Sequence, residues 1–384
     1  MGSQKRNKKI NISENEYQIL CLINEGLLGS CTHLMGKDER DSIVKGVDAN
    51  SFPYPFTFYS VEYENVLKNT KINEELDLFC NDELVARLSV QSKFKNDKSI
   101  VGIFTPNHCD IRDIGETCVS GPFEVFNSEI KKIKQEFEKR KRILNAQNIT
   151  GIITSLDPLH KGHERIFRWA IDKADLLVVF LIESFDNSGF NFELKLKYFN
   201  DFIKHYLPRD KIFVFPLKNI ELFRAHLNPL LEGIISKNLG CTKLVVGQNH
   251  YGLSMFYDEN RTKTMFDSFS QECGIEVVVL PEQVFCEKCK SIVSMKSCPH
   301  GSHHHVKFNS SALRRFLRLG IIVPTIFMRA RTSNIILSNL FPNRFKNMQQ
   351  MYNDLFTNEG ILENRQDEDF YNQLLKLYQI THTV

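Results

Sequence analysis

The chain has few of the features that mark membrane, secreted and nucleic-acid-binding proteins. Its 384 residues contain no apolar run near the roughly 18 that a membrane-spanning helix needs, and the longest clear one is Leu176–Ile182. The net charge of +3 is close to neutral, so it does not point to nucleic acid or a membrane as a partner. The polar start from Met1 to Lys9 lacks the apolar core of a secretory signal, and we expect a short disordered arm there. The sequence also shows no internal repeat.

Cysteine is present but mostly scattered. Seven of the ten cysteines stand singly: Cys21, Cys31, Cys80, Cys109, Cys118, Cys241 and Cys273. Isolated thiols are typical of a reducing compartment, so we expect a cytoplasmic protein.

The other three cysteines form a cluster with histidines close behind. Cys286 and Cys289 are followed by Cys298, and the candidates for a fourth ligand are His300, His303, His304 and His305. This spacing predicts a tetrahedral Cys3His zinc site, and among the histidines we favour His303. With four protein ligands the zinc would be structural, and it would fix the segment that leads to Ser310 and Arg314.

The order of elements predicts two kinds of architecture. Up to about residue 140, short apolar segments with turn residues between them favour a mostly β domain. The charged stretch Glu129 to Arg142 could bind polyanions, but we interpret it as a solvated helix. From Asn148 to Leu280 strands and helices alternate, which favours a parallel sheet with crossover helices. The predicted strands are Ile149–Ser155, Leu176–Ile182, Lys211–Phe215, Lys243–Val246 and Ile275–Leu280, and the predicted helices are Gly162–Ala174, Phe192–His205 and Ile220–Lys237.

The strongest indication of function is the segment Ile149 to Glu164, ITGIITSLDPLHKGHE. A β-branched run ends in a proline turn, which places His160 and His163 at the start of an amphipathic helix. Helix N-terminal amides carry partial positive charge, Gly162 permits close approach of an anion, and imidazole N–H groups add donors. The pattern predicts a nucleotide phosphate site in which both histidines stabilise departing pyrophosphate. The alternative is a pair of ordinary capping or surface histidines.

Two further segments are candidates for the same chemistry. After the strand ending at Val246 comes GQNHYG, in which Gly247, Gln248 and Asn249 could contact a nucleotide and His250 could reach a phosphate or ribose; a plain loop is the alternative. In the segment Asn309 to Phe316, Ser310 and Ser311 stand at a helix start, and Arg314 could bind phosphate. We expect His250 to act with His160 and His163 in catalysis, and Ser311 and Arg314 to assist them. Ordinary N-capping explains either serine equally well.

These features, in this order, resemble the sulfate adenylyltransferase (ATP sulfurylase) family over nearly the whole chain. Gly26 to Met35 looks like the family's GxFSPLTGFM segment, and Ser236 to Thr242 (SKNLGCT) resembles its RKNYGCT run. Cys286 to Cys298 is similar to the zinc loop of prokaryotic members, and Phe327-Met328-Arg329 to their Phe-Met-Arg-Pro.

The resemblance implies three domains and a reaction. The domains are a PUA-like β domain (1–142), a Rossmann-like nucleotidyltransferase domain with a parallel sheet (143–330, zinc loop 286–305) and a small C-terminal helical domain (331–384). The implied reaction is ATP plus sulfate to adenosine phosphosulfate plus pyrophosphate, with Mg accompanying ATP. The expected partners are thus ATP and a small acceptor rather than nucleic acid or a membrane, in a chain that could form a homo-oligomer.

The sequence departs from the family where sulfate is held. The family's Gln-Thr-Arg-Asn-Pro segment is Thr154-Ser155-Leu156-Asp157-Pro158 here, so Leu156 replaces an arginine and Asp157 an asparagine. Gln248 replaces another arginine, and Leu222 and Leu227 stand at two more arginine places. Each lost charge-assisted hydrogen bond is worth roughly 1.5–3 kcal/mol. We therefore assign Thr154 and Asp157 to acceptor binding and hypothesise that Asp157 faces an amine or hydroxyl.

Three interpretations follow. One is sulfate activation with new residues replacing the lost arginines. Another is nucleotidyl transfer to a different acceptor. The third is a non-catalytic nucleotide-binding protein, against which the retention of His160, His163 and Arg314 speaks.

Overall fold

The structure, a computed structural model, describes residues 7–45, 54–100, 114–184, 189–223, 229–247, 274–342, 352, 354–356 and 369–374. The chain divides into two compact units with interleaved segments. The first comprises Met1–Ile153, Ala174–Glu183 and Phe213–Val279, and the second Thr154–Lys173, Ser184–Ile212 and Leu280–Val384. Each unit is assembled from three separate stretches of chain, so this division does not test the predicted domain boundaries after residues 142 and 330. Those boundaries stay predictions.

The amino-terminal part of the first unit is rich in short strands, as expected. Its strands are β1 (Lys8–Asn11), β2 (His33–Leu34), β3 (Phe58–Tyr59), β4 (Glu75–Cys80), β5 (Glu83–Ser89), β6 (Ser92–Lys95) and β7 (Thr117–Val125). Its helices are α1 (Glu14–Asn24), α2 (Lys37–Val44), α3 (Glu64–Lys68) and α4 (Glu129–Leu144). The long strand β7 organises this sheet, because β2, β3, β5 and β6 all pair with it antiparallel.

The expectation of a disordered arm up to Lys9 is wrong for its last residues. β1 pairs parallel with β4, with Lys8 opposite Leu76, and Ile10 is fully buried. The Lys8 ammonium contacts the Glu74 carboxylate at 2.8 Å. These partners lie more than sixty positions away in the chain, so local composition could not reveal them.

The α/β architecture with a parallel sheet is confirmed. Five strands, β8 (Ile149–Thr154), β9 (Leu176–Ile182), β10 (Ile212–Leu217), β11 (Lys243–Gly247) and β12 (Glu276–Leu280), lie in the order β10-β9-β8-β11-β12. β8 and β11 run parallel, with Val245 opposite Ile152. Because the strand order reverses at β8, the chain leaves the sheet there at the kind of switch point where α/β folds bind ligands.

The helices follow the prediction with one difference. The predicted helices correspond to α5 (Lys161–Asp172), α6 (Phe192–Tyr206) and α7 (Pro229–Leu239). Where one helix was expected from Ile220 to Lys237, the described residues form a short 3₁₀ turn, Glu221–Phe223, and then α7. Residues 224–228, which include Leu227, lie outside the described part of the chain.

A large apolar core lies within the first unit. Alternate residues of β9, namely Leu176, Val178, Phe180 and Ile182, join a cluster that also contains Ile10 and other buried residues of the amino-terminal part. Alternate side chains of a strand share one face, so one face of β9 faces this core. The amino-terminal part and the five-stranded sheet therefore bury apolar surface together.

The second unit contains α5, α6 and the remaining elements. These are β13 (Gln283–Cys286), β14 (Ser291–Ser294), β15 (His305–Lys307), α8 (Ser310–Arg318) and α9 (Ala330–Leu340). β13 pairs antiparallel with both β14 and β15. α5 packs on β13 and β14, and α9 packs on α6 and α8. Within the described ranges, none of the helices has the length and apolar character needed to cross a bilayer.

Candidate active site

The turn after β8 is the start of the site, and it belongs to the second unit. Thr154, the last residue of β8, is half-buried, and its hydroxyl accepts a hydrogen bond from the Leu156 N–H at 3.3 Å. Leu156 has a φ of 49° and is fully buried. His160 then serves as the N-cap of α5.

His160 and His163 cap α5 reciprocally. The His163 N–H donates to Nδ1 of His160 at 3.4 Å, and the His160 N–H donates to Nδ1 of His163 at 3.3 Å. The two imidazoles stack with their centroids 3.7 Å apart. This is the geometry of a capping box with ring nitrogens in place of the usual oxygens. Both histidines therefore cap the helix, and this capping is compatible with a functional role for their rings.

The environment keeps both rings neutral. Burial lowers the pKa of His163 from 6.5 to about 4. Burial, and then the neighbouring charge of His163, lowers the pKa of His160 well below 6.5. In a neutral imidazole whose Nδ1 accepts a hydrogen bond, the proton resides on Nε2. Each ring therefore carries an Nε2–H donor.

Gly162 is required by the position of the His160 ring. A Cβ at residue 162 would lie 3.0 Å from Nδ1 and Cε1 of His160 and 3.3 Å from Cδ2 of Phe308. The ring is held by the cap and by stacking, and a side chain at position 162 would require it to shift by a few tenths of an ångström.

An aromatic side chain that follows β15 packs against the histidine pair. Phe308, directly after β15, stacks on His160 with centroids 5.2 Å apart and an interplanar angle of 18°. Phe327 meets Phe308 edge-on at 6.0 Å. The Phe327 carbonyl also accepts a hydrogen bond from the Lys161 N–H at 2.7 Å. Phe327 thus satisfies one of the N-terminal amides of α5.

A buried carboxylate ties the same segment to α5. Arg329 donates from Nε and Nη2 to the two oxygens of Glu164, at 2.9 and 2.6 Å, and Arg168 donates to Glu164 at 3.0 Å. Burial alone would raise the pKa of Glu164, but hydrogen bonding and charge, first from Arg329 and then from Arg168, bring it below its usual value. The Arg329 guanidinium also lies over the Tyr206 ring at 4.7 Å. Glu164 therefore stays ionised and braces α5.

Asp157 and Arg314 form a buried ion pair. Nη1 of Arg314 lies 2.8 Å from Oδ2 of Asp157, and the two side chains are only 11 % and 3 % exposed. Oδ1 of Asp157 accepts a hydrogen bond from the Phe190 N–H at 3.1 Å. Both carboxylate oxygens of Asp157 thus have partners, and its negative charge is balanced by the arginine that was expected to bind phosphate.

Buried polar groups surround this pair. Lys195 is fully buried and donates to the Ser184 hydroxyl at 3.2 Å. The Tyr198 hydroxyl donates to the Leu156 carbonyl, and burial, with the charge of Asp157 next, raises the Tyr198 pKa well above 10. A Cβ at Gly189 would lie 2.3 Å from the Ser184 hydroxyl and 2.6 Å from Oδ2 of Asp157. The backbone at Gly189 therefore closes directly on the Asp157 side chain.

The remaining nucleotide-site candidates are placed only in part. The N-cap of α8 is Asn309, whose side chain accepts from the Ala312 N–H at 2.9 Å, so the capping alternative for the serines is wrong. Ser310 and Ser311 are instead the first two residues of the helix. Gly247 is the last residue of β11, and a Cβ there would meet nothing within 4 Å. Gln248, Asn249 and His250 lie outside the described residues.

The three clustered cysteines converge with one histidine. Nδ1 of His300 lies 3.4 Å from Sγ of Cys286, 3.3 Å from Sγ of Cys289 and 3.6 Å from Sγ of Cys298, and the last two sulfurs are 3.8 Å apart. All four candidate ligand atoms lie within 4.8 Å of one another. A tetrahedral zinc centre places sulfurs about 3.8 Å apart and sulfur and nitrogen about 3.6 Å apart. The donor set and its spacing fit zinc.

His303, the fourth ligand that the sequence analysis favoured, is not at this cluster; His300 takes its place. The His303 ring lies against Gly301, where a Cβ would be 2.8 Å from it, and against His304 at 4.0 Å. Residues 302–304 form a 3₁₀ turn that carries His303 away, whereas His300 follows Cys298 by two residues. Sequence spacing alone left both histidines within reach.

A comparison with protein families decides the relationship. The family model described as ATP-sulfurylase matches residues 128–339, which is more than half of the chain and includes the histidine turn, the cysteine cluster and Arg314. The chain belongs to the ATP-sulfurylase family. The resemblance drawn from the sequence motifs is thereby confirmed.

Relatives in this family align over most of the chain. A sulfate adenylyltransferase of Carboxydothermus hydrogenoformans is 24 % identical over 347 residues, covering 85 % of this chain and 91 % of the relative. One from Ignicoccus hospitalis is 25 % identical over 309 residues, covering 76 % and 79 %. Among solved structures, a hexameric APS kinase from Thiobacillus denitrificans shares the fold with a TM-score of 0.62 at 16 % identity. The alignment covers 88 % of this chain and 63 % of that protein, so the chain spans less than two thirds of its length.

Several residues of this ATP-sulfurylase family site were not singled out by the sequence analysis. Phe308 and Glu164 carry no recognisable signature, although Glu164 adjoins the histidine motif. Arg329 was noted only as part of a family segment. The partners of Asp157 and the buried Lys195 depend on contacts between distant parts of the chain, which a sequence pattern does not encode.

Proposed function

We propose that this ATP-sulfurylase family member transfers AMP from ATP to a small acceptor and releases pyrophosphate. The observation that carries the proposal is the pair of neutral, stacked imidazoles at the start of α5. Two Nε2–H donors and the positive end of a helix provide the charge stabilisation that a departing pyrophosphate needs. No covalent nucleophile is required, because phosphoryl chemistry of this kind depends on positioning and electrostatics.

The remaining roles are part of the same proposal. Gly162 lets the phosphate approach the helix, and Gly247, Gln248, Asn249, Ser310 and Ser311 are assigned to the nucleotide. His250 and Arg314 are assigned to catalysis beside His160 and His163. Mg accompanies ATP and neutralises part of the triphosphate charge. Cys286, Cys289, Cys298 and His300 would hold a structural zinc that fixes β13 and β15. The amino-terminal sheet is assigned as PUA-like and the α/β part as an HxGH nucleotidyltransferase.

The test is formation of ATP from adenosine phosphosulfate and pyrophosphate. Sulfate is the acceptor that family membership favours, and this direction of the reaction detects it. The variant His160→Asn retains an N-cap residue but lacks the imidazole donor, and we expect it to lower kcat by about 10²–10³-fold. His33→Asn, at an exposed histidine of the first unit, is the control. Equal activity of the wild type and His160→Asn would refute the proposed role.

A second candidate is transfer to an acceptor other than sulfate. It is favoured by the ion pair of Asp157 with Arg314 and by Leu156, which is fully buried where the family has an arginine. An arginine already balanced by a carboxylate attracts a dianion less than a lone arginine does. Pyrophosphate release from ATP with a panel of amine and hydroxyl acceptors tests this candidate when the sulfate assay is negative.

Asp157→Asn separates the two candidates. The change keeps the side-chain shape but removes the charge that balances Arg314, so we expect a KM for adenosine phosphosulfate at least ~tenfold lower. Asp201→Asn, which removes the carboxylate paired with Arg331 at 2.7 Å, is the matched control. An unchanged KM in Asp157→Asn would mean that the ion pair does not determine the acceptor.

The assembly state is also a proposal. The solved structure with the same fold is described as hexameric, and we infer a homo-oligomer for this chain. Light scattering on the purified protein gives the number of subunits, and a monomer at all concentrations would contradict the inference.

A further inference from the structure

A polar cavity lies in the amino-terminal part of the first unit, between α2 and the segment that follows β6. Its volume is about 620 Å³, in the range of small-molecule sites. Its lining includes five cationic side chains, those of Lys37, Arg40, Lys45, Lys95 and Lys98, and two carboxylates, those of Asp41 and Asp97. None of these residues belongs to the histidine turn or the cysteine cluster.

Arg40 is the unusual member of the lining. It is only 3 % exposed, and its Nη1 has no hydrogen-bond partner among the described residues. Its Nε and Nη2 both donate to one oxygen of Asp41, at 2.8 and 2.6 Å. The guanidinium also lies over the Phe94 ring, 5.1 Å from its centroid. A buried cation with an unused donor is unfavourable unless another acceptor completes it.

The two carboxylates do not neutralise the cavity. Oδ1 of Asp97 accepts hydrogen bonds from the hydroxyl and the N–H of Ser99, at 2.7 and 3.0 Å, and these hydrogen bonds hold its pKa below the usual value. Asp41 is engaged by Arg40. Five cations face two carboxylates, so the cavity carries an excess of positive charge.

We propose that this cavity binds a compact oxyanion, a phosphate or sulfate group, with Arg40 as its buried anchor and Lys95 and Lys98 at its rim. A planar guanidinium whose Nη1 lacks a hydrogen-bond partner among the described residues is suited to a tetrahedral oxyanion. The Phe94 ring lies against the guanidinium at 5.1 Å. The site is independent of the proposed nucleotidyl transfer, because it uses none of the residues assigned to that reaction.

The experiment measures binding of labelled inorganic phosphate and sulfate to the full chain by equilibrium dialysis at constant ionic strength. Arg40→Met removes the donor and keeps an apolar side chain of similar length, and Lys95→Gln/Lys98→Gln removes two rim charges without touching the core. We expect each to weaken binding at least ~tenfold. Lys131→Gln/Lys132→Gln, which removes two exposed charges on α4 outside the cavity, should bind like the wild type.

Further measurements distinguish a free anion from a nucleotide, and the Arg40 cavity from the histidine site. His160→Asn should retain the Arg40-dependent binding, whereas binding lost in His160→Asn and kept in Arg40→Met would overturn the proposal. Competition by AMP as strong as by inorganic phosphate would identify the group as part of a nucleotide, and competition by pyrophosphate or sulfate alone would identify a free anion. If Arg40→Met does not fold, the double lysine variant decides, and its undiminished binding would equally reject the site.

Discussion

Because Gly162 has no Cβ, the His160 ring can lie close to the backbone of α5. A Cβ at this position would lie 3.0 Å from the His160 ring, which is fixed by its cap, by His163 and by Phe308. Glycine at a helix start would otherwise be an inferior residue, since alanine is the better helix former. Glycine therefore lowers the stability of the helix start but allows a defined position of the His160 ring.

Replacing Gly162 tests this directly. We expect Gly162→Ala to lower kcat/KM by about tenfold, since even a small displacement of a catalytic group lowers the rate. Its free energy of unfolding should fall or stay level rather than rise by the ~1 kcal/mol that Gly-to-Ala gives in an ordinary helix. Arg165→Ala, at an exposed position of α5, measures the effect of a change in the same helix. A fully active Gly162→Ala would show that the ring position is not critical.

At the scale of elements, α5 is braced at its start by a segment far along the chain. The Phe327 carbonyl accepts a hydrogen bond from the first N–H of the helix, and Arg329 donates hydrogen bonds to Glu164. The buried Met328 lies between these two residues in the chain. In this chain the Phe327-Met328-Arg329 segment thereby positions the histidine helix. We regard Arg329 as a positioning residue.

Two arginines allow a matched comparison. Arg329→Ala leaves the buried Glu164 with Arg168 alone, and we expect a loss of about 2–3 kcal/mol in unfolding free energy together with reduced kcat. Arg331→Ala removes a similar two-oxygen contact to Asp201. It should leave kcat unchanged, because Asp201 pairs with Arg331 and His205 rather than with the histidine turn among the described residues. Urea titration and steady-state kinetics on both variants check this. Equal effects on kcat would contradict a specific role for Arg329.

The three-stranded sheet makes metal content a second element-scale test. β13 carries Cys286 and contacts α5, and β15 leads directly into Phe308. We expect the wild type to bind zinc, His300→Ala to lose it under mild chelation, and His303→Ala to retain it. Elemental analysis with thermal unfolding of each variant measures both metal and stability. Zinc retained by His300→Ala and lost by His303→Ala would restore the assignment made from the sequence.

At the scale of the whole molecule, the sequence predicted the alternation of elements, whereas it carried no signal for the interleaving of the two compact units. Apolar periodicity is local, so β8 and β9 could be recognised from runs such as Leu176–Ile182. The interleaving of the two units depends on which faces share a core, as in the cluster that joins Ile10 to Phe180. The same holds for the site: His160, His163 and the cysteines follow from short spacings, whereas the pairing of Asp157 with Arg314 spans 157 positions.

The neutral histidines give the whole molecule a defined pH dependence. Their folded pKa values lie below 6.5, about 4 for His163, so below pH 6.5 the unfolded chain binds more protons and stability falls with pH. From pH 7.5 to 5.5 we expect a loss of about 1 kcal/mol for each histidine, levelling off below the folded pKa. Urea titrations of the wild type and of His160→Asn/His163→Gln across this range measure it. Identical slopes in both proteins would exclude this origin.

The reciprocal cap has a consequence for how this site can change over generations. Each ring serves both as a structural part of the helix start and as a donor to a ligand, and Gly162 and Phe308 are shaped around them. A replacement at any one of these positions disturbs the others, so they form a block that tolerates single changes poorly. Positions 156 and 157 lie outside that block. New acceptors can therefore be acquired there, in natural divergence or directed evolution, while the nucleotide chemistry is inherited intact.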